Sequence, residues 1–494
     1  MEKFKKAAAL LTASAISLSI TPVTFAEIPD NITWWIEDSY KNVLQSDTIG
    51  SKTSINLIMA QNEYEAAQII LKSTEAFTIN SLVFSNLTTQ DASQVISAQN
   101  INYNPVGYEY IPTPSTGITT SIRPASGYCP EWLLNAQSVQ VEANAAQPIW
   151  VTFYVPKGQM PGQYTGTATV RTTKGNLTIN ITTEVYDVEI PDGNVSELNF
   201  YFWQATAGWY NKPHSGDQIE RYFGSEYTRY STKWWELMGK FADSCKRNRN
   251  NFFTVPTVNL LFDGGTNIGD NGVYTFNWSR FDELISFMLE KVWIKCLVGN
   301  QLAYRNSWSE PYLAYIISKD KDGNIIEKNV DVSSSEADNW FQQFIPALKQ
   351  HLKQKLLSDG TTTWFDIWEQ SIVDEPYSEQ NSNTWVSIYA YLHTYAPDMT
   401  TQEALQTTAY LQNYEEKIDC WIPQLDILTN NRAYFNTRKA AGDEVWFYTC
   451  LAPTDNYLNR FVDQPVWMGR SLMWLVYQYN ADGYLHWGWN AWHY

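Results

Sequence analysis

Two adjacent carboxylates, Asp374 and Glu375, close a strand-like stretch at 365–373 and are followed at once by Pro376. A carboxylic acid and a carboxylate are the minimum equipment for cleaving a glycosidic bond. Adjacency adds an electrostatic argument. Two neighbouring carboxylates resist being ionised together once partly desolvated, so one is driven toward the protonated form a general acid needs. Other acidic pairs occur, and position separates them. Asp282-Glu283 opens a run with Phe281, Leu284, Ile285, Met288 and Leu289 at helical spacing, where first-turn acids complement the helix dipole and face solvent. Asp443-Glu444 precedes the strand-like 445–448 and reads as a turn. Only Asp374-Glu375 follows its strand, and the proline stops the ladder there. The competing structural role for the pair is helix capping or a salt bridge, because a helical pattern begins at 383.

Composition narrows the chemistry. The net charge of −18 disfavours nucleic acid and anionic membrane surfaces as partners. Five cysteines (Cys129, Cys245, Cys296, Cys420, Cys450) are scattered with no CxxC spacing, and the chain holds only five histidines. Neither a disulfide framework nor a metal site is suggested, and no cofactor is called for. The 22 Trp and 31 Tyr supply core volume, and such faces also suit sugar rings. Residues 1–26 read as a secretory signal, with Lys3, Lys5 and Lys6, an apolar-to-small middle, and Thr24-Phe25-Ala26 as the cleavage step. That places the protein outside the cytoplasm, secreted or on the cell surface, with no integral membrane span once the signal is removed.

A chain of this length predicts two domains. Over 27–192 short alternating strands, among them 147–156, 165–172 and 176–185, with Gly/Pro turns, predict an antiparallel β-sandwich. Ile190-Pro191-Asp192-Gly193-Asn194 reads as the linker. From 193 to 494 the rhythm becomes strand then helix. Strands are predicted at 198–203, 252–259, 293–300, 365–373, 399–404, 418–422, 445–450 and 484–489. Helices are predicted at 232–247, 281–291, 335–357, 383–395, near Tyr410, at 431–441 and at 466–479. Eight strands alternating with helices predict a (β/α)8 TIM-like barrel. The eighth helix is missing from the pattern, so either the barrel closes unusually or the chain continues.

In such barrels chemistry sits at the C-terminal strand ends. Those ends present Asp374 and Glu375 as the catalytic candidates. Trp203, Asn300, Gln301, Glu403, Trp421, Tyr448, Trp487, Trp489 and Asn490 are substrate-binding candidates, with Asn259, Thr449 and His486 on the same rim.

These residues bring a family into view. The chain resembles glycoside hydrolase family 123 and its relatives with a DUF4091-type C-terminal region over nearly all of its length. The resemblance rests on Gln61-Asn62-Glu63-Tyr64-Glu65-Ala66-Ala67-Gln68, Gln147-Pro148-Ile149-Trp150 and Pro161-Gly162-Gln163-Tyr164-Thr165-Gly166 in the first domain. In the second it rests on Asp374-Glu375-Pro376, on Val445-Trp446-Phe447-Tyr448-Thr449-Cys450, on Arg470, on 482–487 and on Asn490-Ala491-Trp492. It implies a β-N-acetylgalactosaminidase acting on β-GalNAc-terminated glycans or glycolipids by a retaining, substrate-assisted mechanism. The first acidic position falls on Asp374, orienting the sugar's 2-acetamido group, and the general acid/base on Glu375. Two alternatives stand beside it. One is a retaining hydrolase of another hexosaminide or hexoside, with Glu403 as a conventional nucleophile. The other is a carbohydrate-binding protein without turnover.

Overall fold

A computed structural model describes residues 27–123, 125–207 and 218–490. The signal expected over 1–26, and Ala491-Trp492 of the last motif, lie outside them. Two compact units separate. The first runs up to Ser39 and takes in Val43–Tyr108 and Pro130–Val188; the second takes Tyr40–Asn42, Glu109–Cys129 and the chain from Glu189.

The first unit is built from antiparallel sheets. Ile32–Asp38, Glu63–Ser73, Gln147–Val155, Ile101–Ile111 and Gly127–Leu133 form one, in that order; Ser54–Gln61, Gly175–Glu189, Gly162–Thr172, Phe77–Phe84 and Val139–Val141 form the backbone of the other. The reason is legible in single strands. Along Gln147–Val155 the inward residues Ile149, Val151, Phe153 and Val155 alternate with half-buried ones, the period-2 pattern of a strand with one face on a core. Both sheets contribute to one apolar cluster, including Ile69, Leu71, Ile149, Val151, Tyr164, Ala168, Val170 and Ile179.

The second unit holds eight parallel strands: Asn199–Phe202, Phe252–Val255, Cys296–Gly299, Trp368–Ser371, Thr400–Leu405, Cys420–Pro423, Glu444–Tyr448 and Gly483–His486. Every predicted barrel strand is present, most of them shorter than expected. The helices Thr232–Arg247, Ser279–Lys291, Ser335–Gln354, Glu379–Tyr395, Arg432–Ala441 and Val466–Gln478 follow the predicted rhythm. The stretch near Tyr410 forms only a 3-10 turn, Leu411–Asn413. Side-chain parity sorts the strands into two layers. Tyr201, Phe252, Cys296, Val298, Ala404, Cys420, Ile422, Trp446, Tyr448 and Leu485 make an inner cluster. Phe202, Phe253, Val255, Leu297, Leu405, Trp421, Val445, Phe447 and Tyr484 join the far larger core beneath the helices. Burial on both faces explains why these strands read as continuous apolar runs.

The ladder runs first–eighth–seventh–sixth–fifth–fourth–third–second, so the first and second strands are its two ends. Side-chain amides stitch that seam. Asn251 Oδ1 accepts from Phe200 N (2.9 Å), and Asn251 N donates to Phe200 O (3.1 Å). Asn250 Oδ1 accepts from Phe202 N (3.1 Å), while Gln204 Nε2 donates to Phe252 O (3.0 Å) and Gln204 Oε1 accepts from Thr254 N (2.8 Å). The result is a near-barrel of eight parallel strands. Among the described residues no helix follows the eighth strand. Instead Trp489 N donates to Trp203 O (2.9 Å), and the Asn490 amide pairs with both the N–H (2.7 Å) and the carbonyl (2.8 Å) of Ala205.

Two insertions were not anticipated. Between the third and fourth barrel strands a small antiparallel sheet is formed by Ala303–Tyr304, Leu313–Lys319 and Ile325–Asp331. Its buried Tyr315 donates to Glu327 (2.6 Å), which also accepts from Asn259 Nδ2 (2.6 Å). The excursion Glu109–Cys129, from within the stretch assigned to the sandwich, belongs to the barrel unit. There Ser115 N (2.8 Å) and Ile122 N (2.8 Å) donate to Asp463, and Asp455 N donates to Gly117 O (2.6 Å).

The seam makes a stability prediction. Asn251 also donates through Nδ2 to Gly193 O (2.8 Å) and Leu198 O (3.1 Å). Asn251→Ala should strand buried backbone groups and cost about 3 kcal/mol, read as a lower denaturation midpoint at unchanged slope. Trp421→Phe, which keeps the outer core filled, should cost less.

Candidate active site

The candidate site is built from the strand ends inward. Parity decides which candidates can meet. In the fifth strand Ala404 belongs to the inner cluster, so Glu403 between Gln402 and Ala404 turns outward. Its carboxylate, 1 % exposed, accepts from Trp385 Nε1 (2.7 Å) on the helix Glu379–Tyr395 and from Val373 N (3.2 Å). Glu403 thus buttresses the strand end through this carboxylate, and the residue also lines the cavity at that end. Trp421 is misplaced: Cys420 and Ile422 point inward, and Trp421 packs outward, its Nε1 on Asp443 (2.9 Å) and its ring against Tyr434 and Phe435. Asn259, expected on a strand, sits fully buried in the helix Thr257–Gly264. Asn490 is spent on Ala205, and Thr449 on the Tyr484 hydroxyl (2.7 Å). Trp489 packs edge-on to the outward Phe202 (5.6 Å), and Trp487 lies half-buried beside His486 (5.8 Å).

Trp203, Asn300 and Gln301 converge. A narrow cavity of about 30 Å³ at the strand ends is lined by them, with Gln402, Glu403 and Val373 among others, and its lining does not include Asp374, Glu375 or Tyr448. Val373, directly before the acidic pair, is part of its wall. Gln370 spans the neighbouring strand end, donating to Asn300 O (2.9 Å).

Asp374 and Glu375 leave the fourth strand in a turn. Glu375 has φ +53°, in the left-handed region that a non-glycine residue enters only when its surroundings hold it there. Those surroundings come from the inserted sheet. The Tyr312 hydroxyl donates to Asp374 O, and Arg305 Nη1 donates to Glu375 O (3.4 Å). The turn delivers the Glu375 carboxyl to the Tyr448 hydroxyl, which hydrogen-bonds Oε1 from the end of the seventh strand. Tyr448 also lies near Gln424 Oε1 (3.5 Å). Among the described residues no donor hydrogen-bonds the Asp374 carboxylate, and the residue is only partly exposed. The other two acidic pairs are engaged structurally. Asp282 binds His351 (2.6 Å) and Lys355 (2.5 Å); Asp443 binds Arg438 (2.8 Å); Glu444 binds Trp446 (2.9 Å) and Asn199 (3.1 Å).

The electrostatics divide the pair. Burial pushes both carboxyls up. For Asp374 the Arg305 guanidinium opposes that rise. For Glu375 the negative charge of Asp374 adds to it, and the Tyr448 hydroxyl and Arg305 oppose it. Glu375 is thus the member that keeps its proton, 9 % exposed and beside a charged neighbour. Arg305, Tyr312 and Gln424 were not singled out in the sequence. Their one sequence signal is an arginine among aromatics, Tyr304 to Tyr315, in a stretch that fits no barrel strand or helix. Among the described residues no group of three or more His, Cys, Asp and Glu side chains is arranged to hold a metal ion.

Comparison with known proteins agrees with this geometry. A family model described as "Glycoside hydrolase 123, catalytic domain" matches residues 214–494, and one described as "Glycoside hydrolase 123 N-terminal domain" matches 39–172. The structure is similar to that of a family 123 glycoside hydrolase from Clostridium perfringens, reported for glycolipid glycan hydrolysis. The TM-score is 0.71 at 17% identity, over 93% of this chain and 78% of that one, a likeness of fold. A GH20 exo β-N-acetylglucosaminidase from Vibrio harveyi aligns over 93% of this chain and 91% of its own at 7% identity, but its TM-score of 0.28 carries no argument. No curated protein matches the chain.

The pair's titration can be read directly by carboxyl ¹³C NMR. Asp374→Asn removes the neighbouring negative charge and should bring Glu375 down toward the ordinary carboxylate range. Tyr448→Phe removes the hydrogen bond that favours the ionised form and should move Glu375 further up. Shifts of the same sign in both variants would contradict the assigned causes.

Proposed function

Because the chain belongs to glycoside hydrolase family 123, we propose that this glycosidase removes terminal β-linked N-acetylgalactosamine from glycans or glycolipids with retention, using the substrate's own acetamido group as nucleophile. The observation that carries this reading is the asymmetry of the pair. One carboxylate has no donor bound to it, and the other is hydrogen-bonded to Tyr448 and, beside the first one's charge, held toward its protonated form.

In the first step the acetamido carbonyl oxygen attacks the anomeric carbon as the glycosidic C–O bond breaks. Asp374 accepts the acetamido N–H and stabilises the positive charge that develops in the oxazolinium ring. Glu375 gives its proton to the departing oxygen. In the second step Glu375, now a carboxylate, takes a proton from water as that water attacks the anomeric carbon. The ring opens and the acetamido group is restored. Two displacements at one carbon retain its configuration.

The position of Glu403 favours this reading over a conventional nucleophile. In an ordinary retaining enzyme the two carboxyls stand about 5–5.5 Å apart on either side of the anomeric centre. Here the candidate for the second one, although it lines the cavity, is engaged by the Trp385 indole and the Val373 N–H as a support of the strand end. A glycolipid glycan is included in the substrate class on the strength of what is reported for the C. perfringens enzyme. Secretion rests on the basic, apolar and small-residue order of residues 1–26. No helix among the described residues is long and apolar enough to cross a membrane.

Chromogenic β-GalNAc, β-GlcNAc and β-Gal substrates test the proposal, with and without a thiazoline mimic of the oxazoline. The expected result is cleavage of β-GalNAc that the thiazoline inhibits. Cleavage of β-Gal, or indifference to the thiazoline, would sink substrate assistance. Asp374→Asn should lower kcat by about 10²-fold or more for every leaving group. Glu375→Gln should hurt poor leaving groups most, and its loss should remove the basic limb of the pH profile. That limb lies above the ordinary carboxylate range in the parent enzyme, because the proton must still be present on Glu375 at the working pH. Glu403→Ala should lower stability without rescue of turnover by azide; azide rescue would reinstate the conventional nucleophile.

A further inference from the structure

Four side chains outside the cavity lining, Arg305, Trp308, Tyr312 and Tyr377, form a built feature beside the acidic pair. The Arg305 guanidinium is buried and lies 3.8 Å from the centre of the Trp308 ring, 5.0 Å from Tyr312 and 5.2 Å from Tyr377. Arginine stacked on aromatic faces is a strong, oriented contact once desolvated. It covers one face of the Trp308 indole, yet Trp308 remains 55 % exposed and Tyr377 36 % exposed. The two rings are also locked together. The Tyr377 hydroxyl donates to Trp308 O, and the ring centroids are 5.9 Å apart with planes inclined at 56°.

We propose that Trp308 and Tyr377 form the platform that receives the first sugar of the leaving group. This rests on the reading of Glu375 as proton donor. A general acid that protonates the departing oxygen must stand on the leaving-group side of the scissile bond, so whatever lies immediately beyond it on that side meets the leaving group. Tyr377 is two residues past Glu375 in the chain, separated by Pro376. Arg305 joins the two features physically. The guanidinium that stacks beneath Trp308 also donates to the Glu375 carbonyl, so platform and proton donor share one support.

The chemistry of the platform selects a neutral pyranose. A sugar ring carries an apolar C–H face that can lie on an indole or phenol, where it shields apolar area from water. Two inclined rings fix the approach of that face without reading individual hydroxyls. They therefore favour a pyranose in the leaving position over a small non-sugar aglycone while tolerating different linkages. Binding energy gained there is realised at the reacting centre, because it orients the bond to be cleaved against Glu375.

The test compares two substrates with the same β-GalNAc donor: an oligosaccharide, and the glycosyl fluoride, which puts no sugar on the platform. The readout is the ratio of kcat/KM for the oligosaccharide to that for the fluoride, in the full-length parent, Trp308→Ala, Trp308→Phe and Tyr377→Ala. Loss of the indole face should lower that ratio about tenfold, and Trp308→Phe should restore most of it. An unchanged ratio in Trp308→Ala, with both substrates slowed equally or neither slowed, would overturn the platform while leaving the function intact. If the parent cleaves neither substrate, the reading of Glu375 fails and the platform falls with it.

Discussion

Successive side chains of an extended strand point to opposite faces, so two consecutive carboxylates can serve one site only where the backbone is no longer extended. Glu375 makes that departure with φ +53°, a conformation that costs a non-glycine residue on the order of 1–2 kcal/mol. What holds it is a run of side-chain contacts on three consecutive residues. Glu403 accepts from Val373 N, Tyr312 donates to Asp374 O, and Arg305 donates to Glu375 O. The supports come from three directions: the outer layer, the inserted sheet, and the Trp385 helix that fixes Glu403 in turn. The inserted sheet is therefore part of the site, and its own buried Asn259–Tyr315–Glu327 contacts are what anchor it to the barrel wall.

The alternation of strand and helix was legible because each barrel strand is buried on both faces and each helix carries one apolar stripe. Thr232–Arg247 was anticipated to the residue, with Trp234, Leu237, Met238, Ala242 and Cys245 as its buried face. The site was legible only in part. The pair, Tyr448, Trp203, Asn300 and Gln301 were read from strand ends alone, and the structure sets them at or just past those ends. Trp421 was placed on the wrong side because a strand end names a residue without its parity. The inner positions Cys420 and Ile422 settle it. Arg305 and Tyr312 had no periodic signal to carry them. Their sheet pairs antiparallel within itself, outside the barrel's repeating rhythm, and its contacts with the pair go to backbone carbonyls, which leave no mark on sequence.

The same backbone turn also constrains the mechanism. Both carboxyls sit at one strand end, beside a cavity lined in part by Trp203, Asn300 and Gln301, none of which can supply an anionic nucleophile. The carboxylate on that lining, Glu403, is engaged by Val373 N and Trp385 Nε1. With both acids on one side, their mutual repulsion in a poorly solvated pocket drives one proton onto the pair. Arg305 beside Asp374, and the Asp374 charge beside Glu375, bias that proton toward Glu375. A site with one proton donor, an adjacent carboxylate, and a third carboxylate, Glu403, already engaged as a support fits a substrate that brings its own nucleophile. In the proposed mechanism, then, the adjacency of the pair and the use of the acetamido group follow from one backbone constraint.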